Sequence, residues 1–174
     1  MIRFREHSPE VVYAADPIVL VDRQDIDYLV QRAAQNPRKR VRLCAHKDTN
    51  DRLHEMLIVH ARECYVRPHK HLAKSESFHV IQGVVDIVLL DEAGKIVEVV
   101  PMGDFASGRK FYYRLADPLY HTLIIRSDWV IFHEVTNGPF KREDTIFADW
   151  APPESDAAGV SQFMSNLKGQ VDRQ

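Results

Sequence analysis

The chain has 174 residues, of which 45% are hydrophobic and 28% charged, with a net charge of −2. That composition suits one globular domain, excludes wholesale disorder, and gives no general pull toward nucleic acid or anionic membranes. No apolar run approaches the roughly 20 residues of a membrane helix, and MIRFREHSPE is no signal peptide, so a cytoplasmic protein is expected. Cys44 and Cys64 form no close pair, which excludes a redox CxxC or a zinc knuckle; each reads as a small buried hydrophobe.

The opening 21 residues look irregular or weakly extended. Asp22 then caps a helix in DRQDIDYLVQRAAQNP, where Ile26, Leu29, Val30 and Ala33 form one apolar stripe that Asn36 and Pro37 end. From about residue 41 short Val-, Ile-, Tyr- and Phe-rich runs follow one another: VRLCAH, RLHEMLIVHA, ECYVRPH, SFHVIQGVVDIVLLD, KIVEVVP, KFYYRLA, YHTLIIRS and DWVIFHEVT. Turn signals at Asn50-Asp51, Gly83, Gly94, Gly103, Asp117-Pro118 and Ser127-Asp128 separate them. Strands at this spacing predict an antiparallel sandwich or barrel. After a double proline, Val160, Phe163, Met164 and Leu167 mark one short amphipathic helix packed on the barrel. The expected organisation is an arm and helix over 1–40, a β-barrel over 41–150 and a tail over 151–174.

The stretch PHKHLAKSE carries the chemistry. His69 and His71, two apart, project to one side of an extended backbone, and Pro68 favours that conformation in itself and in Arg67. Glu76 opens the next apolar strand and Gly83 ends it, giving H-x-H-x4-E-x6-G. Imidazole nitrogen and carboxylate oxygen suit a borderline divalent ion. A fourth ligand must come from a distant strand, and His121 in DPLYHTLII is the best candidate.

This pattern resembles the first motif of the cupin superfamily, whose members are small double-stranded β-helix (jelly-roll) barrels with a metal near the axis. The spacing matches at His69, His71, Glu76 and Gly83. Glu63 stands where the family has its leading glycine, and Ala116, Pro118 and Ile125 replace the usual Pro, Gly and Asn of the second motif around His121. Over about residues 22 to 155, NPRKRVRLCAH, YVRPHKH, YHTL and EVTNGPFKREDTIFADWAPPE are similar to the WbuC-type cupin metalloproteins. That likeness implies a metal-binding barrel linked to bacterial surface polysaccharide, and it does not supply a reaction.

The remaining histidines carry weaker signals. His79, three past Glu76, falls on the other face of its strand, as a core or dimer-contact residue. His54, His60 and His133 lie inside apolar patterns, and His46 and His7 show no spacing signal. The basic run Arg38, Lys39, Arg40 and Arg42 reads as a wet face beside a helix end, with phosphate binding as the alternative. Lys70, Lys74, Arg114 and Tyr113 are candidates to reach substrate at the metal mouth.

Three histidines and a glutamate around an octahedral ion leave about two positions for water or a bidentate substrate. Zn, Ni, Fe or Mn would serve, and the ligands do not choose among them. Such an ion could polarise a carbonyl for isomerisation or epimerisation of a small sugar-related ligand. The alternatives are an Fe-dependent dioxygenase and a non-catalytic module whose metal organises a ligand pocket. Barrels of this type expose edge strands, so a homodimer is also expected.

Overall fold

The computed structural model describes residues 2–173. Its larger sheet is formed by β1 (Phe4–Ser8), β2 (Val11–Ala14), β3 (Arg40–Cys44), β4 (Leu53–Ala61), β11 (Trp129–Asn137), β6 (Glu76–Gln82) and β9 (Tyr112–Leu115), in that spatial order. The smaller sheet runs β12 (Thr145–Phe147), β5 (His69–His71), β10 (Tyr120–Ile125), β7 (Val84–Leu90) and β8 (Ile96–Gly103). From β4 to β7 successive strands alternate between the sheets, and the chain crosses again at β9, β10, β11 and β12, which winds it into a jelly roll. Pairings between the named strands are antiparallel except β2 with β3.

Three apolar layers follow from the strand alternation. Met56, Ile58, Phe78, Phe132, Ile87, Leu89, Leu123 and Ile125 fill the space between the sheets. On the outer face of the larger sheet, Ile26, Leu29 and Ala33 of helix α1 (Arg23–Gln35) cover Val41, Leu43, Val59 and Ile131. On the outer face of the smaller sheet, Leu167 and Val171 of helix α2 (Ala157–Val171) lie over Val88, Leu90, Tyr120 and Ile124. Strand β10 is therefore buried at all six positions, which is why YHTLII carries so little polar alternation.

Asp22 caps α1 as expected. Its carboxylate accepts from the Gln24 and Asp25 amides at 2.8 and 3.1 Å, while Asp25 reaches back to the Asp22 amide at 3.1 Å, a reciprocal capping box. The first 21 residues depart from the irregular segment expected. β1 and β2 pair with each other, and β2 adds in parallel to β3, leaving Val12 fully buried. FREHS has no apolar period of its own, so the partner strand rather than the local sequence makes it extended. The tail helix is longer than its four apolar markers suggested, extending to Val171 with Asp156 accepting from the Gly159 amide.

One core residue makes acid stability predictable. His60 on β4 packs edge-on against Phe132, its Nδ1 buried without a partner. Burial, with Arg40 and Arg42 nearby, pushes its pKa down to about 3. The unfolded chain, with an ordinary imidazole, then binds the proton more readily than the folded one. The neutral-histidine contribution is full above about pH 6.5 and is lost as pH falls toward 3, at roughly 1.4 kcal/mol per pH unit. Urea unfolding of metal-free wild type and His60→Leu at pH 7 and pH 4.5 should show the wild type losing more stability than the variant. Equal losses would refute this assignment.

Candidate metal centre

The site spans both sheets. β5 and β10 pair with His69 directly opposite His121, so both imidazoles leave the smaller sheet on its inner face, alongside Leu123 and Ile125. His71, two residues on, shares that face. One ring nitrogen from each of His69, His71 and His121 lies within 4.8 Å of the others, a group that could hold a metal ion. Glu76 enters from the larger sheet, where β6 begins, and is buried.

Each histidine is oriented through its other nitrogen. His69 Nδ1 lies 2.9 Å from the Arg67 carbonyl and His121 Nδ1 lies 3.1 Å from the Leu119 carbonyl, the same two-residue backward reach on facing strands. Carbonyl oxygens only accept, so each Nδ1 carries the proton and each Nε2 keeps its lone pair. His71 Nδ1 is 3.2 Å from Thr145 Oγ1 on β12. Contacts of this kind fix tautomer and ring plane in metal-ligating histidines.

Glu76 straddles two rings, with one oxygen 2.9 Å from His121 Nε2 and the other 3.3 Å from His71 Nε2. Glu76 Oε1 and His121 Nε2 are both buried, and despite their closeness they lack the alignment of a hydrogen bond. Two buried polar atoms left without hydrogen bonds are costly. Two lone pairs aimed at a shared point suit a cation between them. Nitrogen and carboxylate donors of this kind fit a divalent transition ion without specifying which.

The charges respond to one another. Burial pushes the His69 pKa down to about 3, helped by the neighbouring His121. Burial alone would raise Glu76, yet the close approach of the His121 and His71 rings holds it well below the carboxylate range. Burial likewise opposes charge on His121, and the Glu76 carboxylate outweighs it, so His121 is raised. An ion at this site would compete with protons for the His121 and His71 nitrogens, so its affinity falls as pH is lowered. Zinc binding should release protons, more of them as pH is lowered, measurable by calorimetry in buffers of different ionisation enthalpy. A buffer-independent heat would contradict the pairing.

The other residues singled out in the sequence divide. Tyr113 faces the interior opposite Phe78, 9% exposed, with its hydroxyl buried and unpartnered. Lys70 alternates away from the two histidines that flank it; its ammonium binds Glu92 at 2.5 Å and lies over the Tyr120 ring. Lys74 is held by the Pro139 carbonyl at 3.1 Å and Asp144 at 3.3 Å. Arg114, opposite Ser77, is exposed on the outer face of its sheet. Strand parity thus turns Lys70 and Arg114 away from the interior. Arg38 and Arg40 are engaged by Glu10 and Glu154, which ties the tail to the first strands. His79 is exposed on the outer face, its ring 5.7 Å from Phe111, and His46 is buried and stacked on His54 at 4.2 Å.

Sequence reasoning missed Glu134. It lies on β11 between Met56 and Phe78 and shares the parity of Val130 and Phe132, which belong to the interior. Among the described residues its side chain has no hydrogen-bond or ion-pair partner. Burial, reinforced by the Glu76 carboxylate, pushes its pKa up to about 8. The signal was present in WVIFHEVT, where the alternation that buries Val130 and Phe132 also turns Glu134 inward.

Over residues 21–102 the sequence matches a family described as a domain of unknown function (DUF6016). No curated protein matches it in sequence. Among solved structures, protein SO0799 from Shewanella oneidensis is similar at a TM-score of 0.50 and 12% identity, over 71% of this chain and 77% of that one. The cupin domain of Cnp3 from Schizosaccharomyces pombe gives 0.44 and 10%, over 57% and 64%. Oxalate decarboxylase from Bacillus subtilis gives 0.46 and 20%, over 68% of this chain and 31% of that one. The strand order, with the motif's histidines on one sheet and its glutamate on the other, decides the fold. It is a double-stranded β-helix (jelly-roll) barrel. At such identities the likeness extends to the fold alone, and the site must be argued from its own side chains.

Proposed function

We propose that this chain is a WbuC-type cupin in which His69, His71, Glu76 and His121 hold one divalent transition ion. Its activity is an isomerase- or epimerase-like reaction on a small carbohydrate or nucleotide-sugar derivative, in bacterial surface-polysaccharide metabolism. The observation that carries the metal reading is the unaligned, buried approach of Glu76 to His121, with the Nδ1 of His69 and His121 already bound to carbonyls. When bound, the ion would supply Lewis acidity for a substrate carbonyl. The chain's own residues would orient the substrate against Phe78 and Met56 and exclude water. The link to polysaccharide rests on the WbuC-type resemblance alone.

Elemental analysis of protein purified without chelator or affinity-metal resin tests the first step. About one equivalent of a transition metal is expected, and metal-free protein that also fails to take up zinc would reject the reading. A homodimer in the cytoplasm is proposed as well. Its support is the unpaired edge strand β9, beside which Phe105, Phe111 and Tyr112 are exposed. Light scattering across micromolar concentrations should give twice the chain mass, and a monomer throughout would remove it. No described helix is long and apolar enough to cross a membrane.

A further inference from the structure

Beyond the ligand set, the inner wall of the larger sheet carries polar groups with no internal work. β11, β6 and β9 are adjacent, and Glu134, Phe78 and Tyr113 stand in one register row across them, all facing the interior. Glu76 is two residues before Phe78 on the middle strand, so it belongs to the next row on the same face. The Tyr113 hydroxyl is buried and has no partner. Glu134 has none among the described residues. A buried hydroxyl left unsatisfied is destabilising, and a ligand can relieve it.

We propose that Tyr113 and Glu134, one on either side of Phe78, form the recognition wall of the metal site, and that the part of the substrate reaching the metal is an uncharged hydroxycarbonyl. This rests on the metal reading above and adds to it the residues that choose the substrate. The phenol donates to a substrate oxygen, and the carboxyl exchanges hydrogen bonds with a hydroxyl, while the Phe78 ring between them packs against carbon. Carboxyl groups dominate this wall. Glu76 and Glu134 face inward from the larger sheet, and Glu98, exposed on edge strand β8 of the smaller sheet, stands opposite Leu89. An ionised Glu134 repels an anion, and a protonated one serves a neutral hydroxyl equally well. Arg40 and Arg42, the cations of β3 on the same face, have β4 and β11 between them and β6.

The test uses cobalt-loaded full-length protein and two small probes of matched size, dihydroxyacetone (neutral) and glycerate (anionic). Paramagnetic relaxation of the probe protons reports their approach to the ion. At pH 7 the wild type should bind dihydroxyacetone at least tenfold more tightly than glycerate. Tyr113→Phe and Glu134→Leu should each weaken dihydroxyacetone at least fivefold at unchanged cobalt content, whereas Glu134→Gln, which keeps a neutral hydrogen-bonding group, stays within threefold. Glycerate binding as tightly as dihydroxyacetone overturns the substrate class. Dihydroxyacetone affinity within twofold of wild type in Tyr113→Phe overturns the wall, and this variant decides the matter even if Glu134→Leu misfolds. Cobalt content is read separately, so failure of the wild type to take up cobalt identifies failure of the underlying metal reading.

Discussion

His121→Ala should leave a folded protein that no longer retains metal, with affinity reduced at least about 100-fold. Loss of groups that merely orient a ligand already costs roughly 10–100-fold, and removing the ligand itself costs more. His121 is central because it faces His69 across the β10–β5 ladder and holds the Glu76 carboxylate at 2.9 Å. The same experiment reads out in stability. An ion at 100 times its dissociation constant stabilises the native state by about 2.7 kcal/mol. Zinc should therefore raise the wild-type Tm by roughly 5–10 °C and leave that of His121→Ala unmoved. Equal zinc-induced shifts in the two proteins would place the ion elsewhere. Glu76→Gln is the milder companion, since it keeps the shape and removes the charge, and an intermediate loss is expected.

The second large effect concerns the motif's glycine. Gly83 joins β6 to β7 with φ +92°, and a Cβ there would lie 2.3 Å from the Trp129 carbonyl oxygen and 2.6 Å from Ser127 Oγ. An L side chain meets both penalties: an unfavourable backbone region costing about 1–2 kcal/mol, and overpacking costing about 1–3 kcal/mol. Gly83→Ala is expected to lose roughly 2–5 kcal/mol in urea unfolding. Gly108→Ala is the control. It also has positive φ, at 71°, but nothing lies within 4 Å of its added Cβ, so only the backbone cost should appear. If both variants lose the same amount, the close approach to Trp129 contributes nothing. The position matters for function because the turn starts β7, whose Leu89 lies opposite His121.

The two effects depend on the fold to different degrees. His69, His71, Glu76 and Gly83 were legible because their spacing is local. Period-two alternation puts two imidazoles on one face, and a turn needs a residue that tolerates positive φ. The helix over Arg23–Gln35 was legible for the same reason, since Asp22 and the apolar stripe act within a few residues. Alternation also implied the inward parity of Glu134, though nothing local marked it as different from any strand glutamate.

What the chain could not state locally is which strands become neighbours. His121 lies 52 positions from His69, and only the β5–β10 pairing makes them face each other. Tyr113 and Glu134 come to flank Phe78 through two separate pairings of β6. Lys70, adjacent to both histidines in sequence, ends on the far side of the sheet beside Glu92. FREHS becomes a strand because β2, itself carried on β3, offers it a partner. Local composition and spacing thus determined the barrel class, the capped helix and most of the cation-binding group. Long-range hydrogen-bond registers decided which polar groups share the interior, because a one-residue slip in any of them would turn an entire row of side chains to the opposite face.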